Sequence, residues 1–231
     1  SGVGYRWFTA LFASIVGISS AFLGLIALVG VQTMAKVPIF GYVAKRFAAY
    51  FNPFKDLTGS GLQLSHSYYA MSNGGWFGLG LGNSIEKTGY LPEATTDFVF
   101  SIVIEELGLI GAGLILALLF FLILRIMIVG VKARNPFNSM MALGVGALML
   151  MQVFVNIGGI SGLIPSTGVT FPFLSQGGNS LLVTSVGIAF VLNIAANEKR
   201  DNIVQAIEEE LSQTQELESQ DEKIVPLRRS R

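Results

Sequence analysis

Three long stretches of this sequence contain no acidic or basic side chain: residues 7–35, 107–124 and 135–197. An uncharged apolar run of about 18 or more residues is long enough to cross a bilayer as a helix. Charged residues make up only 13% of the chain, whereas about a quarter of the residues in a soluble domain are charged. The sequence therefore predicts an all-α polytopic membrane protein.

The apolar runs divide into four predicted membrane helices, joined by two long loops and a short one and followed by an acidic tail. Arg125 and the basic residues after it predict that the short loop between the second and third helices is cytoplasmic, because positive charge collects on that side. Both long loops are then extracytoplasmic. The chain starts without methionine shortly before a span, so we expect it to be part of a longer protein with preceding helices. The predicted segments are helix 7–32, loop 33–96, helix 97–131, helix 139–157, loop 158–179, helix 180–197 and the acidic cytoplasmic tail 198–231.

The first long loop, residues 33–96, contains two features that predict local structure. Residues 40–51 place aromatic and basic side chains on opposite helical faces, which predicts a short amphipathic helix. Two interpretations of it remain open, a helix lying in the membrane interface or one packed on the protein. Five glycines between Gly74 and Gly82 predict non-helical backbone that lines a cavity or lies buried against protein. A dinucleotide-binding loop is disfavoured because no strand precedes these glycines.

Four carboxylates fall within 14 residues around the start of the second predicted helix: Glu93, Asp97, Glu105 and Glu106. Asp97 has two interpretations. It is either an acid that stabilises the first helical turn, with Thr95 or Thr96 as N-cap, or a catalytic carboxylate facing a pocket between the outer loops. A catalytic base must be ionised and within reach of its proton.

Glu105 and Glu106 lie deeper in the same predicted helix, where acids are costly in a bilayer. We expect no lysine or arginine of this chain at that depth, so at least one acid is predicted to be protonated or to pair with a cation outside this chain. Two roles remain open for these intramembrane polar residues, a structural lock between helices and a proton relay.

The remaining polar residues give weaker signals. The chain has no cysteine and one histidine, so His66 is predicted to be a hydrogen-bonded structural residue and not a metal ligand. Gln152, Asn156 and Asn193 lie in or beside predicted spans, where interhelical hydrogen bonding is the usual role of amides. The net charge is zero, and nothing indicates nucleic-acid binding.

Three motifs together carry a family resemblance: NPF…GGWFGLGLGNS at 52–84, YLPEATTDFVFSIVIEELGLIG at 90–111 and NIGGISGLIPSTGVTFPFLSQGGNSLL at 156–182. They resemble the carboxy-terminal half of the SEDS family of FtsW/RodA peptidoglycan polymerases. The YLPEA and GLGLGNS forms resemble the division members more than the elongation members. This sequence departs from the family pattern by having Thr95 in place of a histidine and Gln176 in place of an aromatic residue.

The resemblance implies a ten-helix fold, of which this chain would hold the last four helices. It implies an enzyme of the bacterial cytoplasmic membrane, at the division septum, that polymerises lipid II into glycan strands at the outer face. The partners implied are a class B penicillin-binding protein and other division proteins. Asp97 matches the family's essential extracytoplasmic carboxylate.

That chemistry implies roles for further residues. Inversion at the sugar requires a base on the acceptor hydroxyl, and a departing pyrophosphate requires positive charge. Asp97 is expected to be the base, alone or with a divalent cation. No other cofactor is expected, and neither is a metal site formed by protein side chains alone. The expected substrate contacts are Lys45, Arg46, Gln63, Ser65, Glu93, Ser166, Thr167, Ser175, Gly177 and Gly178.

Two other functions compete with the polymerase. A lipid II flippase would use intramembrane acids and glycine-broken outer loops, with Glu105 or Glu106 at its centre. A non-catalytic division scaffold would keep full function without the Asp97 carboxylate.

Overall fold

The computed structural model describes residues 41–55, 57, 59 and 61–228, and six helical positions in the first apolar stretch, 13, 14, 17, 20, 21 and 24. No β-strand occurs in these described parts, which confirms the all-α prediction. The described helices are α1 (Gly41–Phe51), α2 (Leu62–Gly74), α3 (Val99–Lys132), α4 (Pro136–Ile160) and α5 (Gly178–Arg228), with 3-10 turns at Pro53–Lys55 and Glu86–Thr88.

Three segments of the described chain are long and apolar enough to cross a membrane: Val99–Lys132, Pro136–Ile160 and Gly178–Thr214. They confirm a polytopic membrane protein. The first predicted helix, 7–32, lies outside the described residues except at the six positions named above. The last helix does not end at residue 197 but continues to Arg228, through a segment rich in the helix formers Glu, Gln and Leu.

The third helix, α4, begins three residues before its predicted start and ends three residues after its predicted end. Its first residue is Pro136, and proline is favoured at the first helical position. Asn135 acts as the N-cap, because its Oδ1 accepts a hydrogen bond of 2.9 Å from the Phe137 amide.

The chain forms two compact units, one made of residues 1–115 and 152–177, the other of residues 116–151 and 178–231. In the second unit, Arg134 follows α3 and bonds to the polar face of α5. Its amide and guanidinium donate to side chains spaced one helical turn apart, namely Glu198 (3.0 Å), Asn202 (2.6 Å) and Gln205 (2.6 Å).

In the first unit, the glycine-rich segment after α2 packs backbone to backbone against α3. The segment has little side-chain bulk, so its main chain comes close enough to exchange hydrogen bonds with the helix. The bonds run from Leu79 N to Glu105 O (2.9 Å), Gly80 N to Glu106 O (2.9 Å), Leu109 N to Gly75 O (2.9 Å) and Ile110 N to Trp76 O (3.2 Å).

Two glycines make this contact possible. Gly108 has φ 71° and ψ 178°, which interrupts the helical geometry of α3 and leaves nearby carbonyl groups available to the loop. A Cβ at Gly108 would lie 2.4 Å from the Trp76 carbonyl oxygen, and one at Gly78 would lie 2.2 Å from the Glu106 carbonyl oxygen. The segment packs against protein at Gly74 and Gly78, but most of residues 75–82 are exposed, so the prediction of buried backbone holds only for the side that faces α3.

Candidate active site

Asp97 lies half-buried in the turn that precedes α3, not in the first helical turn as predicted. Glu93 has a left-handed φ of 59°, and its carbonyl oxygen accepts a hydrogen bond of 3.1 Å from the Thr96 amide. The Thr96 hydroxyl donates to the Glu93 carboxylate at 2.5 Å. Neither Thr95 nor Thr96 therefore caps α3, and the carboxylate of Asp97 is held by a turn outside the helix.

Asn156, a buried residue of α4, joins this turn to the loop that follows α4. Its Nδ2 donates to the carbonyl oxygens of Asp97 and Val169, each at 2.7 Å. The Ser175 hydroxyl donates to the Thr96 carbonyl oxygen at 2.6 Å. The prediction that Asn156 bonds helix to helix is wrong, because its amide reaches the backbone of a turn and a loop instead.

Asn156→Ala is expected to destabilise the protein by on the order of 2 kcal/mol, because two carbonyl groups lose their donor in a largely buried site. Thermal unfolding in detergent measures the change. Asn83→Ala is the matched control, since Asn83 is exposed and its side chain bonds only locally, to Leu79 O. An equal loss of stability in both variants would contradict the connecting role of Asn156.

Gly168 brings the loop that follows α4 close to both Asp97 and Arg46, a residue of α1. A Cβ at Gly168 would lie 3.2 Å from Asp97 Oδ2 and 3.5 Å from Arg46 Nη2, and φ at this position is 81°. Arg46 also donates through Nη1 to the Ser166 carbonyl oxygen. Contacts of Arg46 and the buried Ala49 show that α1 packs on the protein, which supports the second interpretation of this amphipathic helix.

The pKa of the Asp97 carboxyl lies above its usual range. Partial burial is the largest cause, because a charged carboxylate loses hydration there. The negative charge of Glu93 raises this pKa further, whereas the positive charge of Arg46 lowers it. The raised pKa makes the Asp97 carboxylate a stronger base than an ordinary aspartate, which favours proton abstraction.

Two cavities adjoin at this loop. The smaller, of about 10 Å³, has Asp97, Asn156 and Gly168 in its wall, and a volume of this size holds about one water molecule. The larger, of about 270 Å³, has Arg46 and a mainly apolar wall. Ser166 and Thr167 line both cavities.

The remaining predicted substrate residues are placed less favourably. Ser65 is fully buried, and its hydroxyl donates to the Gly61 and Leu62 carbonyl oxygens of its own helix, so its placement does not support a substrate contact. Ser175 is buried and bonded as described above, which gives it a structural part in the site. The structure does not describe the Lys45 side chain, and Gln63, Gly177 and Gly178 line neither cavity.

Glu106 pairs with a cation of this chain, so the expectation that no lysine or arginine of this chain reaches that depth is wrong. Lys87 Nζ lies 2.7 Å from Glu106 Oε1. The two residues are 19 positions apart, and the contact forms because the glycine-rich segment folds back along α3.

Glu105 is fully buried and receives four hydrogen-bond donors from this chain. Three are Asn73 Nδ2 (3.0 Å), the Ile85 amide (3.3 Å) and the Glu86 amide (3.4 Å), and the fourth is the Ser84 hydroxyl. This set of donors fits a structural lock between the loop and α3. The neighbouring His66 Nδ1 lies 2.6 Å from a Glu86 carboxylate oxygen, which confirms the hydrogen-bonded histidine.

The described residues contain no group of three or more His, Asp or Glu side chains that could hold a metal ion. Asp97 and Glu93 nevertheless offer two carboxylates on one turn. Mg²⁺ is commonly bound through one or two carboxylates together with the phosphates of a substrate. The oxygen donors therefore fit a divalent cation, which Asp97 and Glu93 would hold and which would supply positive charge beside substrate phosphates.

Sequence reasoning found Asp97, Arg46, Ser166 and Thr167, but it did not assign Asn156 or Gly168 to the site. The signal available for Asn156 was an amide at the end of a span close to a Gly/Pro-rich loop. No local signal distinguished Gly168 from the other glycines, because its role depends on two residues distant in sequence.

Residues 3–200 match the family model of FtsW, RodA and SpoVE, described as cell cycle protein. The chain is 56% identical over 203 residues to "Probable peptidoglycan glycosyltransferase FtsW" of Lactococcus lactis subsp. lactis, covering 88% of this chain and 48% of that protein. It is 47% identical over 150 residues to the Bacillus subtilis protein of the same name, covering 65% of this chain and 37% of that one.

A third relative is the stage V sporulation protein E of Bacillus subtilis, with 45% identity over 175 residues, 75% of this chain and 47% of that protein. The chain thus spans less than half the length of each of these relatives.

Proposed function

Because the chain belongs to the FtsW/RodA/SpoVE family of cell cycle proteins, we propose that the protein is a peptidoglycan glycosyltransferase. It polymerises lipid II into glycan strands at the outer face of the bacterial cytoplasmic membrane during division. A class B penicillin-binding protein crosslinks the strands beside it. The names of the relatives support the activity, and the remaining helices of the ten-helix fold complete the lipid-binding cavity.

The observation that carries the proposal is the convergence of Asp97 and Arg46 on Gly168. In this reaction Asp97 accepts the proton of the acceptor sugar hydroxyl. The hydroxyl oxygen attacks the anomeric carbon of the donor, and the bond from that carbon to the pyrophosphate oxygen breaks. Inversion follows, because attack and departure occur on opposite faces of the sugar.

Arg46 is suited to the leaving group. A guanidinium carries a permanent positive charge and binds phosphate oxygens in a planar, two-pronged manner. The cavity beside it has a mainly apolar wall that includes Phe47, Ile164 and Pro165, which suits the first carbons of a polyprenyl chain. The charge of the departing pyrophosphate is stabilised at the point where it develops.

The flippase alternative has less support. It rests on intramembrane acids and glycine-broken outer loops, with a proton or ion requirement at Glu105 or Glu106. Glu106 pairs with Lys87, and Glu105 is surrounded by four donors. These contacts support a structural role for both acids over a proton relay.

The test is polymerisation of purified lipid II by the full-length protein with its transpeptidase, measured as glycan length on gels across a range of pH. We expect glycan strands whose rate of formation falls as pH falls, because protonated Asp97 is no longer a base. The pKa of Asp97 is raised, so this decline is expected at a higher pH than for an ordinary aspartate. Absence of glycan at every pH would contradict the proposal.

Arg46→Gln tests, in the same measurement, whether the charge of Arg46 affects the catalytic carboxylate. Arg46 lowers the pKa of Asp97, so removing its charge is expected to move the acidic decline to still higher pH, in addition to slowing the reaction. Lys55→Gln is the matched control, because Lys55 is an exposed cation in the same long loop. A decline at the same pH in both variants would argue against electrostatic contact between Arg46 and the catalytic group.

A further inference from the structure

The glycine-rich segment presents large apolar side chains on the side that faces away from α3. Residues 75–82, here called the aromatic loop, include Trp76, Phe77 and Leu81, which are 66%, 84% and 76% exposed in this chain. The sequence contains no charged residue between Asp56 and Glu86. An exposed apolar patch of this kind marks a surface that another molecule or a membrane covers.

Part of the backbone of the aromatic loop is hydrogen-bonded to protein. Besides the four bonds to α3 described above, the Gly78 amide donates to the Gly74 carbonyl oxygen at 2.7 Å. Non-helical backbone is tolerated at membrane depth only where its polar groups are satisfied by protein or water. The aromatic loop meets this condition on its inner side, through α3.

The level of the aromatic loop along α3 follows from its hydrogen bonds. The Lys87–Glu106 ion pair marks the last charge before the uncharged run 107–124. The Trp76 carbonyl oxygen accepts a hydrogen bond from the Ile110 amide, four residues beyond Glu106 on the apolar side. Trp is enriched where the hydrocarbon of a membrane meets the headgroups.

The neighbouring surface of α3 is apolar and exposed in the same way. Leu109, Ile110 and Leu114 are each more than half exposed and belong to a segment long and apolar enough to span a membrane. The side chains of the aromatic loop extend this exposed apolar surface. We propose that the aromatic loop is a membrane anchor that inserts Trp76, Phe77 and Leu81 into the lipid interface at the Asp97 end of α3.

Spin labelling of the full-length protein in phosphatidylethanolamine/phosphatidylglycerol liposomes tests this inference. This chain has no cysteine, so Phe77→Cys and Leu81→Cys each provide a single labelling position once cysteines elsewhere in the protein are replaced. Collision rates of the nitroxide with oxygen, which partitions into lipid, are compared with those of a water-soluble nickel complex. Leu114→Cys serves as the lipid reference and Thr95→Cys as the aqueous reference.

We expect labels at both positions to collide more often with oxygen than with the nickel complex, as at Leu114. Greater collision with the nickel complex at either position would place the loop in water and overturn the inference. Low collision with both reagents would mean that another protein segment covers the loop, which also overturns it. None of these readouts requires turnover, so the result is independent of the proposed enzymatic function.

Discussion

Replacing Asp97 with asparagine is expected to reduce lipid II polymerisation at least about 100-fold, the lower end of what a general base contributes. Asparagine keeps the size of the side chain but cannot accept the proton of the acceptor hydroxyl. The rate is measured with the full-length protein and its transpeptidase, from the amount of glycan formed at a pH where the wild type is fully active.

The same substitution is not expected to lower stability. The pKa of Asp97 is raised in the folded protein, so the ionised carboxylate is less favourable there than in the unfolded chain. At neutral pH this charge costs stability, and asparagine removes the cost. We therefore expect a melting temperature equal to or above that of the wild type, which separates a lost base from a misfolded protein.

Asp201→Asn is the matched control for this experiment. Asp201 is an exposed aspartate of α5, so the same chemical change there is expected to leave the rate unaltered. Wild-type polymerisation by Asp97→Asn would reduce Asp97 to a structural acid and exclude it as the catalytic base.

Gly78→Ala is expected to have the largest effect on folding, a loss of several kcal/mol that prevents accumulation of folded protein. The new Cβ would lie 2.2 Å from the Glu106 carbonyl oxygen and 2.5 Å from the Gly108 amide nitrogen. Both are backbone atoms, so relief requires the loop to separate from α3 and lose its hydrogen bonds. Recovery of monodisperse protein from membranes and thermal unfolding in detergent measure the effect.

Gly82→Ala isolates the cause of that loss. Gly82 has φ 83°, close to the 77° of Gly78, but a Cβ there would meet no atom within 4 Å. Both variants share the cost of a left-handed alanine, about 1–2 kcal/mol, and only Gly78→Ala adds the overlap. Similar stability in the two variants would show that the contact between the loop and α3 contributes little.

Local sequence patterns predicted the features of this protein that depend on the composition of a single segment. A segment must be long and apolar to cross a bilayer as a helix. The uncharged runs therefore identified the spans seen in α3, α4 and α5. The amphipathic pattern at residues 40–51 predicted α1, which ends at Phe51. The glycine cluster predicted non-helical backbone that lines a cavity or lies against protein, and one side of that segment packs on α3.

Boundaries and partners were less predictable. The break in α3 at Gly108 has no signal in an otherwise apolar run, where a single glycine is common. No cation of this chain was expected near Glu106, since Lys87 is 19 residues away and its approach depends on how the glycine-rich segment folds. Likewise, Ser65 was expected to face substrate, whereas its hydroxyl bonds to its own helix.

The sequence by itself therefore determined that this is a helical membrane protein of a recognisable family, and it singled out Asp97 as the carboxylate to test. Only the tertiary structure decided what surrounds that carboxylate: Asn156 holding its turn, Gly168 admitting the loop, and Arg46 opposing the effect of burial on its pKa. The physical reason is that membrane insertion depends on local composition, whereas the site is made of contacts between residues some 50 to 120 positions apart, which no local periodicity encodes.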